Sequence, residues 1–414
     1  MTTPTPGYRT VTVDEARKAD LLTIDRWAFP SGLPDGAFAA LPVPLSWDRT
    51  RGVRSGSGDL VAVHSSYPFQ GLPVPGGTVD AAGLTWVGVH PGHRRRGILR
   101  TMITDHLERT SARGEAVSVL TASEPSIYGR FGYGSACPAL RLTVPRGAAL
   151  RDVPGAQDVH LEIETLDVAR HAPTIRALHG RVGRPGWATR TTTALEASFL
   201  HDSEHTRDGH EPLRVVTASL DGTPTGYALF RRRLRWEDTA ASGTVSVVEA
   251  VARDAATARA LWGALLDMDL MSGTEVGLLP VDDVLTHLLV DLRAAAPRLK
   301  DHVWVRLVDL PAALRARRYA APVHVVLEVA DAMVPANAGR WRLQGGPDHA
   351  EVTRTDADPD LVLDVRELGT VYLGGVSTAA LHAAGLVREV TAGAVARAAV
   401  AFGWPTAPGC SWVF

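Results

Sequence analysis

The sequence predicts an α/β protein of three segments, two of which place a strand directly before a helix. In the first segment, an apolar run at residues 84–89 leads through a short loop into apolar residues at helical spacing. In the second, the run at residues 245–251 leads into another helical pattern. In the third, strand-like runs come early and helical stretches come late, which is typical of an α+β fold. The predicted boundaries lie near residues 150 and 298.

The composition limits the classes of protein to which the chain can belong. Its 414 residues are 45% hydrophobic and 21% charged, which suits two or three packed domains. The formal net charge of −2 argues against a nucleic-acid partner. Residues 1–20 hold no apolar stretch typical of a signal peptide, and no run is long enough to span a bilayer. Cys137 and Cys410 form no disulfide framework, so we expect a cytoplasmic protein.

Local patterns predict each element of the first segment, residues 1–150. Runs of β-branched and apolar residues indicate strands, helical spacing indicates helices, and Pro and Gly mark turns. The predicted elements are a helical stretch opening at 14–17, a strand at 60–64, a turn at 71–77, a strand at 84–89, a helix after Gly97, and a strand at 116–121. Residues 145–160 contain two prolines and mixed polarity, and are predicted to be a linker.

The second segment, residues 151–298, contains a strong hairpin signal. Asp221-Gly222 separates two apolar runs, at residues 213–220 and 226–234, and this dipeptide favours a two-residue turn. The loop before the helix of this segment is Ala252-Arg253-Asp254. The third segment, residues 299–414, is predicted to have strands at 302–308, 323–329, 340–343 and 361–365, and helices at 311–319, 367–373 and 393–401.

The loop of the first strand–helix pair is the most informative part of the chain. Arg94, Arg95 and Arg96 precede Gly97, where the helix is predicted to begin. Free N–H groups and the dipole at a helix N-terminus attract anions, and arginine matches phosphate geometry. Gly97 lets the backbone approach a ligand closely. A basic cluster alone is usually a solvated turn, but its position between a strand and an amphipathic helix favours a pyrophosphate cradle.

The same stretch resembles a known cofactor loop. Arg94-x-x-Gly97-x-Leu99, after the strand at residues 86–89, looks like the acyl-CoA loop of GCN5-related N-acetyltransferases. Leu99 departs from the small residue that ends that pattern.

Further motifs narrow the resemblance to one branch of these enzymes. The stretches at residues 93–100, 122–124 and 127–134 follow one another in the order and at the spacing of the Eis (enhanced intracellular survival) family. Residues 372–375 (Tyr-Leu-Gly-Gly) and the final Phe414 match that family as well.

The resemblance implies tandem domains of the acetyltransferase (GNAT) type followed by a sterol-carrier-protein-like α+β domain. Residues 1–150 would be catalytic, residues 151–298 a degenerate copy that binds no coenzyme A, and residues 299–414 the sterol-carrier-like domain. It further implies acetyl-CoA as donor, a small-molecule amine as acceptor and a homohexamer built as a trimer of dimers. Amine acetylation requires no metal, and the scattered histidines and distant cysteines form no ligand cluster.

The resemblance also assigns cofactor and acceptor residues. Main-chain groups of the key strand would pair with the pantetheine arm as a neighbouring strand does, while the side chains remain in the core. The loop and helix start would bind the pyrophosphate, and Trp86 would line the acceptor pocket. The cofactor residues carried over are Val87, Gly88, Val89, Arg95, Arg96, Gly97, Ile98, Leu99, Arg100, Ser123 and Glu124.

Two residues are the candidates for proton transfer. In the family, the tyrosine at the position of Tyr128 protonates the coenzyme A thiolate, and the main-chain carboxylate of the last residue, here Phe414, accepts a proton. A tyrosine pKa of ~10 against ~8.5 for a thiol makes the first transfer uphill in water. Tyr133 is the nearby alternative to Tyr128. The apolar composition of residues 410–414 predicts a docked rather than a solvated end.

The acceptor is less well defined than the reaction. Val413 stands where a family member that modifies aminoglycosides has an acidic residue. The leading hypothesis is acetylation of amines, aminoglycosides included, with a role in antibiotic resistance. One alternative is an acetyltransferase for protein lysines or polyamines with no resistance role. Another is a non-catalytic protein that binds a lipid or coenzyme A, against which the intact basic loop and Tyr128 argue.

Overall fold

The computed structural model describes residues 7–414. Within that range the chain forms a long sheet, a five-stranded sheet, a two-stranded ribbon and the helices that cover them. Residues 1–6, part of the stretch in which no signal peptide is expected, lie outside the described range. From residue 7 onward, no helix combines the length and the apolar character that crossing a membrane requires.

The first segment alternates strands with helices. The helix predicted after Gly97 begins at Ile98 and buries one apolar face against the sheet. The elements are β1 (Tyr8–Thr12), α1 (Lys18–Ala28), α2 (Asp35–Ala39), β2 (Arg51–Ser55), β3 (Leu60–Val74), β4 (Gly77–Val89), α3 (Ile98–Ala112), β5 (Val117–Thr121) and β6 (Gly134–Pro145).

The turn predicted at residues 71–77 is present but shorter than expected. β3 and β4 continue through most of this stretch and leave only Pro75 and Gly76 as the turn. A shift in register bulges β3 near Gly71, whose φ of +64° lies in the left-handed region. Pro and Gly here mark a bulged strand end, because a bulge accommodates residues that a regular ladder does not.

The second segment contains the predicted hairpin. β8 and β9 pair antiparallel across Asp221 and Gly222, whose φ values of +50° and +73° suit a type I′ turn. The elements are β7 (His160–Thr165), α4 (Val168–His179), α5 (Thr193–Phe199), β8 (Arg214–Leu220), β9 (Thr223–Arg233), β10 (Trp236–Glu237), β11 (Ala240–Ala241), β12 (Gly243–Ala252), α6 (Ala255–Leu266), β13 (Met271–Leu279) and α7 (Val284–Leu288).

The remaining elements build the smaller sheet and its helices, except for the first of them, β14, which belongs to the long sheet. They are β14 (Arg298–Leu307), α8 (Leu310–Ala316), β15 (Val323–Ala330), β16 (Gly339–Gly345), β17 (Ala350–Arg354), β18 (Leu361–Asp364), α9 (Val365–Val371), α10 (Thr378–Ala383), β19 (Val387–Glu389) and α11 (Ala394–Phe402). The small sheet has the order β17-β16-β15-β18-β19.

The long sheet joins the first two segments by an exchange of strands. Its order is β1-β2-β3-β4-β5-β14-β6-β13-β12-β9-β8-β7. Each half holds one parallel pair, β4–β5 and β12–β13, connected by the helices α3 and α6. β14 lies between β5 and β6, and β6 lies beside β13, so the last strand of each half pairs with the other half. The sheet therefore does not divide at residue 298, and the boundaries at residues 150 and 298 stay predictions.

A close main-chain contact holds the third segment against the long sheet. A Cβ atom on Gly134 of β6 would lie 2.1 Å from the carbonyl oxygen of Arg366 and 2.3 Å from the nitrogen of Thr370. A Cβ atom on Gly369 of α9 would lie 2.3 Å from the carbonyl oxygen of Val305. The backbone of α9 thus packs directly on β6 and β14, and one hydrophobic cluster continues from the first segment into the third.

We expect Gly134→Ala to destabilise the protein, whereas Gly277→Ala in β13 serves as the matched control. The methyl group at 134 meets main-chain atoms of α9, and overpacking of this kind costs about 1–3 kcal/mol. Gly277 also lies in a strand, but nothing lies within 4 Å of its added Cβ. Urea unfolding followed by circular dichroism measures the difference, and equal midpoints for the two variants would contradict the contact.

Candidate active site

A cleft opens where β4 and β5 separate. The two parallel strands pair at only three positions, from Ala81 opposite Val117 to Gly83 opposite Val119. Beyond them, β4 bulges at Trp86, which has a φ of +54°, and runs on to Val89 without a partner on that side. An unpaired strand edge offers N–H and C=O groups to an extended ligand, as a neighbouring strand would.

The loop that follows β4 forms a concave backbone surface. Arg95 and Gly97 both have left-handed conformations, with φ values of +61° and +80°. α3 begins at the next residue, and no side chain caps its first N–H groups. Turns of this type and open helix N-termini bind anions. The surrounding arginines are exposed, so the positive charge faces solvent and any arriving phosphate.

The bulge, the loop and the end of β5 surround a cavity of about 580 Å³. It brings together most of the residues predicted to bind the cofactor and the candidate acid. Those that line it are Val87, Val89, Arg95, Gly97, Ile98, Leu99, Arg100, Ser123, Glu124 and Tyr128. Sequence reasoning assigned no site role to His93, Ile127 or Phe131, which line it as well.

Four predicted site residues lie outside the lining of this cavity: Phe414, at the C-terminus, and the three described next. Gly88 packs against α1, because a Cβ atom there would lie 3.0 Å from the Cβ of Ala28. Arg96 donates to the hydroxyl of Tyr8 (2.8 Å) and to a main-chain carbonyl of the loop. Trp86 Nε1 donates to the hydroxyl of Tyr67 (3.1 Å).

The two tyrosines have different surroundings. Tyr128 is half-buried and lines the cavity, and its pKa is raised to about 12 by burial and by the charge of Glu124. Tyr133 is fully buried, and its hydroxyl is hydrogen-bonded to Ser118 Oγ (2.8 Å), which also contacts His106 (2.8 Å). Because its hydroxyl is engaged in the core, Tyr133 has no access to the cavity.

The C-terminal residues are docked, as their composition predicts. Trp412 and Phe414 are buried, and both rings pack edge-on against Phe69, at 6.1 and 4.9 Å between centroids. Thr121 Oγ1, at the end of β5, donates to the main-chain oxygen of Phe414 (2.8 Å) and accepts from its N–H (3.3 Å). Phe414 is thereby tied to the strand that leads into the cofactor cavity.

A second cavity of about 410 Å³ lies beside Phe414. Its walls are mainly apolar and aromatic, and include Tyr67, Phe199 and Trp412. Asp25 of α1 lies close to Tyr67, whose pKa is raised by burial and further by this carboxylate. Burial raises the pKa of Asp25 itself to about 6. No motif in the sequence distinguishes Asp25 or Thr121, so sequence reasoning missed both.

The middle segment repeats the cleft with a different chemistry. β12 and β13 separate beyond Val247, and a cavity of about 300 Å³ lies there. The side chain of Asp254 accepts from the N–H of Thr257 (2.8 Å) at the start of α6. The helix end that is open in α3 is therefore occupied in α6 by a carboxylate, which repels phosphate. Between residues 7 and 414, no three His, Cys, Asp or Glu side chains lie where they could hold a metal ion.

Family models match three regions of the chain. Residues 9–136 and 186–307 each match an acetyltransferase (GNAT) domain, and residues 310–411 match a sterol carrier protein domain. These matches confirm the predicted fold class of two GNAT-type domains followed by a sterol-carrier-like domain. The GNAT match implies acetyl-CoA as co-substrate.

Relatives of this chain are acetyltransferases. An uncharacterized N-acetyltransferase of Streptomyces coelicolor is 46% identical over 374 residues, which cover 87% of this chain and 88% of the relative. The N-acetyltransferase Eis of Mycobacterium tuberculosis is 34% identical over 340 residues, 81% of each chain. The crystal structure of Eis1 from Mycobacterium abscessus has a TM-score of 0.82 at 33% identity, covering 98% of this chain and 100% of that one. The chain therefore belongs to the Eis family of GCN5-related N-acetyltransferases and is an N-acetyltransferase.

Proposed function

We propose that the enzyme acetylates primary amines of small molecules, aminoglycosides included, with Tyr128 as general acid and the Phe414 carboxylate as base, and that it acts in antibiotic resistance. One observation carries the proposal. Tyr128 lines the cofactor cavity, and Thr121, which binds the main chain of Phe414, lies two residues before Ser123 in the same cavity. A proton donor and a proton acceptor are thus attached to one short stretch of chain.

The residues of the cleft suit the successive parts of acetyl-CoA. The free edge of β4 at Val87 and Val89 offers main-chain partners to the amide groups of the pantetheine arm. The loop at Arg95 and Gly97 offers N–H groups and positive charge to the pyrophosphate. Bound acetyl-CoA supplies the thioester carbonyl that the amine attacks.

Tyr128 has the properties of a neutral proton donor. With a pKa raised to about 12, its hydroxyl keeps its proton at every pH at which a protein is normally assayed. A thiolate that leaves in the same cleft would be disfavoured by burial as well, which would raise the thiol pKa together with the tyrosine pKa. The hydroxyl can therefore hydrogen-bond the sulfur as negative charge develops there and transfer its proton as the C–S bond breaks.

The carboxylate of Phe414 is the group we assign to remove the proton from the amine. An acceptor amine must lose a proton before or during attack, since an ammonium has no lone pair. A terminal carboxylate has a pKa of ~3.5 in water, which makes it a weak base, but the buried ring of Phe414 places it in a poorly hydrated site. Removal of water raises the basicity of a carboxylate, and a bridging water can relay the proton.

We assign the second cavity, beside Phe414, to the acceptor and call it the acceptor cavity. It suits an amine that carries apolar groups or further positive charges. Its aromatic walls attract cations. These features fit aminoglycosides and polyamines alike. A panel of amines distinguishes two alternatives from this proposal. One is acetylation of protein lysines, and the other is binding of a lipid or coenzyme A without catalysis. The proposal includes a cytoplasmic location, which rests on the lack of a disulfide framework, and a homohexamer, which rests on the family resemblance alone.

We expect Tyr128→Phe to lower kcat by about 100-fold or more, because the ring remains while the proton is lost. Release of coenzyme A, followed with a thiol reagent, measures the rate. Tyr133→Phe is the control, since its hydroxyl bonds Ser118 in the core. With the Tyr128 pKa near 12, the parent enzyme shows no loss of kcat from this group below about pH 11. Near-normal turnover by Tyr128→Phe would remove it from the mechanism.

A glycine-serine extension after Phe414 should lower kcat by about 100-fold or more, because it converts the carboxylate to an amide. The same extension at the N-terminus should have no effect. Deletion of Phe414 separates charge from bulk, since it keeps a carboxylate but withdraws it by one residue. Coenzyme A affinity, measured by calorimetry, should stay unchanged in all three proteins. Parental rates for both the extended and the shortened chain would show that the carboxylate takes no part.

A panel of aminoglycosides, polyamines and lysine peptides, assayed with acetyl-CoA, tests the acceptor class. Val413 is 65% exposed and lines the acceptor cavity, so Val413→Glu adds a carboxylate beside the site. We expect it to lower KM for polycationic acceptors by about two- to fivefold in low salt, and salt should remove the gain. Val413→Gln, with no charge, is the control. A panel in which no amine is acetylated would refute the proposal.

A further inference from the structure

A charged side chain of the middle domain is buried without an assigned purpose. Glu249 belongs to β12, where alternate residues are valines that face the core, and only 3% of it is exposed. A register shift between Val247 and Glu249 bulges the strand beside it. It is outside the cofactor cavity and carries no motif, so neither the sequence nor the proposed chemistry explains it.

Four side chains surround the carboxylate of Glu249. Arg190 donates to both oxygens at 3.0 Å, and the hydroxyl of Tyr227 donates at 2.6 Å. His179 Nε2 lies 3.5 Å away. The hydroxyl of Ser411 donates to the same oxygen that His179 approaches. Burial alone would raise the pKa of Glu249, but Arg190 and the other donors outweigh it and hold the pKa below its ordinary value. The group is therefore a buried anion at neutral pH.

This cluster reaches the C-terminal tail, residues 410–414, by two routes. Ser411, which bonds Glu249 directly, lies three residues before Phe414. The guanidinium of Arg190 lies 3.9 Å above the ring of Phe199, which packs against Trp412 at 6.5 Å between centroids. Phe199 and Trp412 both line the acceptor cavity. The middle domain is thus connected to the tail and to the wall of the acceptor cavity through one carboxylate.

Stability is a poor explanation for such a cluster. Replacing a buried ion pair by apolar residues of similar volume is often neutral or stabilising, because desolvation of the charges offsets their attraction. What directional hydrogen bonds provide is a fixed position. An apolar tail packed only by rings can shift along its groove, whereas Ser411 bonded to an immobile carboxylate cannot.

We propose that Glu249 is a positioning residue for the reaction. Acting through Ser411 and Arg190, it fixes the tail so that the carboxylate of Phe414 faces the acceptor cavity. The inference rests on the proposed role of that carboxylate. It gives the middle domain a part in catalysis, although its own cleft has Asp254 where the first domain has an open helix end.

Two variants of the full-length enzyme test the inference, one at the contact with the tail and one at the buried carboxylate. Ser411→Ala removes one contact and leaves the ion pair intact, while Glu249→Gln removes the charge. Each should lower kcat by about tenfold, because a small displacement of a reacting group lowers the rate steeply. KM for acetyl-CoA and the affinity for coenzyme A should stay within about twofold, since neither Glu249 nor Ser411 lines the cofactor cavity. Glu211→Gln is the matched control: Arg214 and Arg232 hold that carboxylate, and it touches no tail residue.

A double variant tests whether Ser411 affects kcat through the position of the tail or through a general loss of stability. In the protein extended after Phe414, Ser411→Ala should cause no further loss of kcat, because contacts that act as a unit are not additive. An equal loss in both backgrounds, or a matching loss of coenzyme A affinity, would overturn the inference. An unchanged kcat in Ser411→Ala would also overturn the inference. This variant leaves the ion pair of Glu249 intact and so avoids any folding defect that Glu249→Gln causes. If the extension alone leaves kcat unchanged, the proposed base is wrong instead, and the two failures are thereby separated.

Discussion

The separation of β4 from β5 after three paired positions is the constraint on which the active site depends. Parallel strands that stayed paired to their ends would leave no cleft and no free strand edge. The bulge at Trp86 turns β4 away, the loop at Arg95 and Gly97 follows from its end, and β5 carries Thr121 at its own end. The ends of these two strands therefore position both the residues proposed to bind the cofactor and the contact with the tail.

The two halves of the long sheet show how little distinguishes a cofactor site from its copy. Both have a parallel pair that separates and a helix that starts at the opening. In the first half the helix start is open and is preceded by three arginines. In the second, Asp254 caps the helix with its own carboxylate. The strand and helix arrangement is the same in both halves, and the charge at the helix end is the difference on which the proposal of a single pyrophosphate site rests.

Sequence reasoning succeeded where a signal is local. The strand–loop–helix of the first segment and the hairpin at Asp221-Gly222 follow from periodicity and turn chemistry. The turn expected over residues 71–77 is confined to Pro75 and Gly76, because Pro and Gly also occur at bulged strand ends. Thr121 and Glu249 could not be found, since their importance comes from partners about 290 and 160 residues away along the chain. An acidic residue at a core position of β12 was visible in the sequence, but its partners were not.

The exchange of strands has a consequence for how the polypeptide reaches its native state. β5 ends at Thr121, and along one of its edges it pairs with β14, which starts at Arg298. The ribosome needs roughly 10 to 35 seconds to add the intervening residues at about 5–20 per second. Throughout that interval the nascent first domain exposes a short apolar strand edge, which invites pairing with other chains. Its sheet closes only after β14 has been synthesised, about three quarters of the way along the chain, so the sheet of the first segment is completed late in synthesis.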